Sequence, residues 1–385
     1  MSRSASGVVR RIILMGASSG GTEALTEVLK GLRPGLAAAI FVVRHVPGDS
    51  VNFLPQLLAR DCPLPVCLAA NGETFRAGTV YVAPADHHLL VDTDQMFLSR
   101  GPRENRARPA IDPLFRSAAL AFGPRAVGVV LSGSLDDGTA GLVAVKRSGG
   151  IAVVQEPADA LNPDMPQSAL HYVEADHCLP AAEIGPLLVR LVATEISTAV
   201  PEAIEHLQAG WRREVAIQRH ETGTVAGAAE LGELFPASCP ECGGPLWEMK
   251  DGVPRYRCHT GHALTARHLV EGLGQAAEEA LWAALRVLEE RSRMLRRIGQ
   301  QDAERGRDAS QRAFAERAAE TDRYVATLRE LLKAVPPVGG DSSLALGGGR
   351  HVPGVPVIEE RQTDDTDGSD PHATDPPLGP ELSGS

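Results

Sequence analysis

With 385 residues, 43% of them hydrophobic, the chain is long enough for two domains and a sizeable core, and 4% aromatics imply an aliphatic interior. A formal net charge of -11 argues against a general nucleic-acid binder, whose footprint is basic. No apolar run approaches the roughly 18–20 residues that span a bilayer, and the short run after Arg10 and Arg11 is too brief for a signal peptide. An integral membrane protein is therefore not expected, and a cytoplasmic location is.

From about residue 8 to 196 the pattern alternates strand and helix. "RRIILM" is a short apolar strand ending at Gly16, and "TEALTEVLKGL" follows with helical spacing. "AAAIFVVRH" is a second buried strand ending at His45, "VNFLPQLLARD" is helix-like, and "PVCLAA" is a third strand. Residues 72–100 read as antiparallel strands joined by turns. The alternation then returns: "DPLFRSAALAF" is a helix opened by Asp112 with Pro113 at its first position, "AVGVVL" a strand, "TAGLVAVKRSG" a helix and "GIAVVQEP" a strand. Buried apolar strands alternating with helices predict an α/β fold, a doubly wound and mainly parallel sheet with helices on both faces. Residues 197–236 read as a connector with some helical content, 237–263 as a compact cysteine/histidine segment, and 264–335 as a helical hairpin. Within its second helix Phe314, Ala318, Thr321, Val325, Leu328 and Leu332 form a heptad-like seam. The Pro-, Gly-, Ser- and Asp-rich stretch 336–385 is expected to be disordered.

Gly16-Ala17-Ser18-Ser19-Gly20 matches G-x-S-x-G at a strand-to-helix turn, where glycines permit a sharp bend that exposes the serine oxygen near helix amides. Two other readings compete. A phosphate loop lacks the following lysine of G-x-x-x-x-G-K, and a glycine turn of no chemistry is what such short matches often are. A catalytic serine needs a base and an orienting acid. In open α/β sheets these gather beyond the carboxyl ends of the strands. His45 ends the second strand there, and Asp136 and Asp137 follow "AVGVVLSGSL" before Gly138. Joint placement at one sheet edge favours the catalytic reading, with His87 and His88 ranked below His45 as base.

"IILMGASSGGTEAL", "VVRHVPGDSVNFLPQLL", "GTVYVAPADHHLLV", "RPAIDPLFRSAA", "VGVVLSGSLDDGTAGLVAVKRSGG" and "NPDMPQSAL" occur in the order found in CheB-type chemotaxis receptor methylesterases. The resemblance covers roughly residues 10–190. It implies a protein-glutamate methylesterase in which Ser18 is the nucleophile, His45 the base and Asp137 the acid that orients it, with Asp136 facing elsewhere. It also implies a backbone oxyanion hole from Ser19 and Ser134, although Gly133-Ser134-Leu135 stands where better-known members read Gly-Met-Gly. The implied reaction hydrolyses glutamate methyl esters on a chemoreceptor or similar sensory protein, releases methanol, and needs no cofactor. Deamidation of receptor glutamine is a rival reading, and a signalling scaffold with weak turnover is another. Because the serine strand starts about ten residues into this sequence, a catalytic domain without the family's receiver domain is expected. All candidate catalytic residues precede residue 196, so the site is expected to be complete upstream of that point.

The six cysteines divide in two: Cys62, Cys67 and Cys178 are scattered, and the others cluster in "CPECGGPLWEMKDGVPRYRCHTGH". Cys239, Cys242, Cys258 and His262 make a Cys3His set with zinc-ribbon spacing, and His259 competes as fourth ligand. Four protein ligands close the shell, so the zinc expected there is structural. Charges of both signs around it favour a protein partner for the C-terminal region over nucleic acid.

Overall fold

Four consecutive side chains of the first strand, Ile12 to Met15, have no solvent exposure in the computed structural model, which describes residues 9–48, 53–196, 205–221 and 232–334. Successive strand side chains point to opposite faces, so a strand buried throughout must be covered on both. On one face Ile12 and Leu14 of β1 (Arg11–Ala17) pack with Phe41, Phe115 and Leu142. On the other, Ile13 and Met15 pack with Leu25, Val28, Ile184 and Leu188.

The helices supplying these covers are α3 (Ile111–Phe122) and α4 (Thr139–Arg147) on the first face, and α1 (Gly21–Lys30) and α6 (Ala181–Ala193) on the second. The sheet also contains β2 (Ala38–Arg44), β3 (Val66–Leu68), β4 (Thr79–Val82), β7 (Ala126–Val130), β8 (Ile151–Gln155) and β9 (His177–Leu179). Its order is β3-β4-β2-β1-β7-β8-β9 with every pair parallel. Two shorter helices, α2 (Leu54–Leu58) and α5 (Asp164–Tyr172), complete this part.

Residues 72–100 do not behave as one antiparallel unit. Thr79–Val82 is a parallel strand of the main sheet, with Val80 and Val82 fully buried. Only after Asp86, at φ 57°, does the chain form the antiparallel hairpin of β5 (His88–Val91) and β6 (Met96–Ser99). Helix α3 starts at Ile111, two residues before the expected first position at Pro113, and the Asp112 carboxyl accepts from Gly141 N–H of α4 instead of capping its own helix.

Beyond residue 204, α7 (Glu205–Gln218) lies on α3 and buries Trp211 and Ile217. β10 (Gly232–Ser238), β11 (Pro245–Met249), β12 (Arg255–Cys258) and β13 (Ala263–Thr265) form an antiparallel four-stranded ribbon in that order. Thr265 then caps α8 (Ala266–Glu304) by accepting from His268 N–H. α9 (Asp308–Ala334) returns antiparallel to α8, with Ser310 donating to Asp302, Ser292 to Asp322 and Arg329 to Glu289. Ala318, Thr321 and Val325 of the expected seam are buried between them. Residues 197–204 and 222–231 of the expected connector, and all of the expected tail 336–385, lie outside the described residues. No helix among the described residues is long and apolar enough to cross a membrane.

Candidate active site

The carboxyl ends of the three adjacent strands β2, β1 and β7 bring His45, Ser18 and the loop carrying Asp137 to one edge of the sheet. Ser18 follows β1 directly, its N–H donating to Ser132 O (2.9 Å) while its carbonyl accepts from Gly21 N–H (2.9 Å). The turn is held against the neighbouring loop at contact distance. A Cβ on Gly133 would lie 2.1 Å from Met165 Sδ and 2.8 Å from Ser18 Cβ, so only glycine lets that loop pass under the serine. Gly20 sits at φ 71°, a left-handed conformation that glycine adopts freely. Ser18 is half-buried and Ser19 exposed.

The Ser18 hydroxyl lies 3.1 Å from His45 Nδ1, and His45 Nε2 lies 2.6 Å from Asp137 Oδ2. Asp137 is fully buried and takes four donors. Oδ2 accepts from His45 Nε2–H and from Ile111 N–H (2.7 Å); Oδ1 accepts from Asn105 Nδ2 (2.7 Å) and from Asp112 N–H (3.3 Å). The two main-chain donors open α3, where helix-end amides favour an anion. Burial raises the Asp137 carboxyl, but the His45 hydrogen bond and charge, the Ile111 amide and Asn105 together hold it below the usual carboxylate range. An ionised Asp137 only accepts, so the proton of His45 sits on Nε2 and Nδ1 offers its lone pair to the serine.

Asp112 plays the opposite part. Its buried carboxyl accepts from Gly141 N–H (2.6 Å) and Asn105 Nδ2 (3.0 Å), and burial plus the neighbouring Asp137 charge push it up to about 8. Near neutrality, therefore, this pair keeps its proton on Asp112 and its charge on Asp137. Asp136 turns away from His45: Thr265 Oγ1 donates to its Oδ1 (2.7 Å), and His268 Nδ1 is 2.8 Å from the same oxygen.

Ser134 lies beside Ser19, the two hydroxyls 3.2 Å apart, and Asn162 Nδ2 donates to Ser134 Oγ (2.8 Å). Neither the Ser19 nor the Ser134 amide forms a hydrogen bond among the described residues, so both are free to donate to an incoming oxygen. His88 is a buried structural residue, donating from Nε2 to Pro102 O and accepting Ala110 N–H at Nδ1; burial lowers it to about 4, which keeps it neutral. His87 Nδ1 lies 3.0 Å from the carbonyl oxygen of Ala85, two residues before it.

Sequence reasoning missed Asn105 and the role of Asp112. Asn105 stands in a charged loop with no distinguishing pattern. Asp112 carries a helix-start signal that explains it adequately without a second role.

In the ribbon, one ligand atom from each of Cys239, Cys242, Cys258 and His262 lies within 4.8 Å of all the others. Cys242 Sγ is 3.7 Å from Cys258 Sγ, and Cys258 Sγ is 3.4 Å from His262 Nδ1. Zinc–sulfur bonds of about 2.3 Å in a tetrahedron require sulfurs about 3.8 Å apart, so the set fits a zinc ion. His259 is outside it, its ring against Gly244 and its Nε2 3.4 Å from Thr260 Oγ1.

Residues 13–188 match the family model described as CheB methylesterase. A relative from Leptospira interrogans is 36% identical over 180 residues, which cover 46% of this chain and 93% of that protein. Proteins of Nocardioides sp. and Anaeromyxobacter dehalogenans, each named protein-glutamate methylesterase/protein-glutamine glutaminase, are 36% identical over 195 residues and 38% over 185. The matched regions span about half the length of those two proteins, 53% and 51%. The crystal structure of the Thermotoga maritima CheB methylesterase catalytic domain is similar at 32% identity and TM-score 0.46, covering 48% of this chain and all of that one.

Proposed function

The chain belongs to the CheB methylesterase family, and from that premise we propose that it hydrolyses glutamate methyl esters on chemoreceptor-type proteins through Ser18, His45 and Asp137. The observation that carries this reading is the unbroken hydrogen-bonded series from Ser18 Oγ through both nitrogens of His45 to a buried, ionised Asp137.

Ser18 Oγ attacks the ester carbonyl carbon as His45 Nδ1 takes its proton. Negative charge builds on the carbonyl oxygen, where the Ser19 and Ser134 amides donate; one such donor is worth about 3–4 kcal/mol in comparable sites. Collapse of the tetrahedral intermediate breaks the bond to methoxide, which leaves as methanol with the proton from Nδ1. Water then adds to the acyl-serine, with Nδ1 again accepting its proton. The second collapse returns that proton to Ser18 and frees the glutamate. Asp137 stays ionised throughout, holding the tautomer and balancing the imidazolium.

The test is methanol release from methyl-esterified receptor membranes, absent in Ser18→Ala. A second reading is supported by the relatives' shared name, which includes glutaminase: the same acyl-serine forms from a glutamine side chain if ammonia leaves. Ammonia release from unmodified receptor separates the two activities.

The cysteine/histidine set supports a structural zinc held by Cys239, Cys242, Cys258 and His262. Three thiolates and an imidazole suit zinc, and four protein ligands leave no position for substrate. When bound, the ion would tie β12 and the following turn to the Cys239–Cys242 knuckle.

A further inference from the structure

Residues beyond 196 reach the polar surroundings of Asp137. The ribbon's last strand lies along the loop that carries Asn105. Ala263 N–H donates to Arg103 O (3.2 Å), and Asn105 N–H donates to Ala263 O (2.7 Å). Thr265 N–H then donates to the Asn105 side-chain oxygen (3.1 Å). That last bond decides which way round the amide sits. With its oxygen committed to Thr265, its Nδ2 is turned toward Asp137 Oδ1 and Asp112 Oδ2, and a flipped amide would set an oxygen against two carboxyls. Asn105 is buried at φ 51°, a conformation asparagine tolerates, and its amide N–H, Oδ1 and Nδ2 are all engaged.

Two further ties join the ribbon to this corner. The Thr265 hydroxyl donates to Asp136, the neighbour of Asp137. Beneath Asn105, Glu104 pairs with Arg116 of α3 and with Arg257 of β12, and Glu214 of α7 pairs with Arg255 and Arg257, all within 2% of full burial. Buried ion pairs of this kind lose their partners at considerable cost, so the ribbon is seated in one register on the catalytic part.

We propose that the ribbon is a positioning element of the active site: Thr265 orients Asn105, and Asn105 holds the triad carboxylate in place and in charge. This rests on the reading of Asp137 as the triad acid. Activity then depends on a correctly folded ribbon, including the strand that directly follows His262. A segment more than 100 residues beyond the catalytic loop, in a separate sheet, thereby sets the competence of the esterase.

Two full-length variants test it. Asn105→Asp keeps the shape and backbone preference but replaces the two donated hydrogens with a carboxyl that, buried between Asp137 and Asp112, keeps a single proton and can donate to only one of them. The titratable and charged groups around it are those two acids, His45 beyond Asp137, the Glu104–Arg116–Arg257 cluster below and Asp136 with His268 to the side. Asp137 thereby loses one of the donors that hold its position and its charge. Meanwhile kcat falls roughly 100-fold and KM changes little, as expected for a group acting on the base and not on substrate. Thr265→Pro suits the Thr265 φ of -71°; relative to Thr265→Val, which also lacks the hydroxyl, it replaces the amide proton that faces Asn105 with a ring carbon. It should show a tenfold or greater kcat deficit relative to Thr265→Val, again with little change in KM. If both variants retain kcat, or lose it only in proportion to lost folded protein, the inference is overturned. If Asn105→Asp does not fold, the Thr265 pair alone decides. An active Asp137→Asn would instead overturn the triad reading, which separates the two failures.

Discussion

Replacing Asp137 by asparagine changes one atom and conflicts with its surroundings in either orientation. The aspartate accepts from His45, Ile111, Asn105 and Asp112, and an asparagine has one accepting oxygen and one donating NH2. With Nδ2 toward His45, the ring must turn its lone pair to that side. Its proton then moves to Nδ1, where it faces Ser18 and the base is lost, and Ile111 N–H is left without an acceptor. With Nδ2 toward Asn105, the tautomer survives, but two NH2 groups oppose each other and no charge balances the imidazolium. One unmatched buried donor costs about 1–3 kcal/mol, so the variant folds with reduced stability. The loss of tautomer or charge should lower kcat/KM by roughly 10³–10⁴, or about 4–5.5 kcal/mol of transition-state stabilisation, the size of loss a triad acid shows in serine proteases. Asp136→Asn is the control. It touches Thr265 and His268, not His45, and should cost less than about tenfold. Initial rates of methanol release from methylated receptor, with circular dichroism to verify folding, decide the matter. A dead Asp136→Asn beside an Asp137→Asn within tenfold of wild type would refute the assignment.

Three more expectations follow from the geometry. Ser18→Ala should abolish turnover, whereas Ser19→Ala should stay within about tenfold, because only its main-chain N–H is used; a small chromogenic ester reads both. Elemental analysis should find about one zinc per chain, and Cys239→Ser should lower that content and loosen residues 239–262 in hydrogen exchange; metal-free protein purified without chelator would refute the assignment. The third concerns acid stability. Burial works to raise Glu214, but Arg116, Arg255 and Arg257 outweigh it and hold it at about 2, against an ordinary 4.5. A depressed carboxylate stabilises the fold fully above its unfolded value and loses that contribution as pH falls toward its folded one. Urea midpoints should therefore decline from pH 4.5 toward 2, and Glu214→Gln, destabilised by about 3–5 kcal/mol at neutral pH, should flatten that decline.

The parallel sheet and the three strand ends were legible because their causes are local. "IILM", "AIFVV" and "AVGVV" are apolar without alternation, which only a strand covered on both faces explains, and the serine turn's glycines and the residues after each strand stand adjacent in the chain. Ligand spacing in the ribbon is likewise short-range, although only the fold separates His262 from His259, since both follow Cys258 within one turn of chain. The parallel placement of Thr79–Val82 could not be read from its neighbours, because strand direction depends on the partner and not on the strand. Nor could Asn105, Asp112 and Thr265 be read as a set. Their meeting spans 160 residues and consists of single hydrogen bonds, each satisfied by a donor from another element. Sequence pattern reports periodicity and local turn chemistry, and so it determined the sheet and the strand ends that carry Ser18, His45 and Asp137. The environment of the buried Asp137 carboxylate arises only when distant segments dock and their polar groups must be paired, and so the tertiary structure alone decided what orients and charges it.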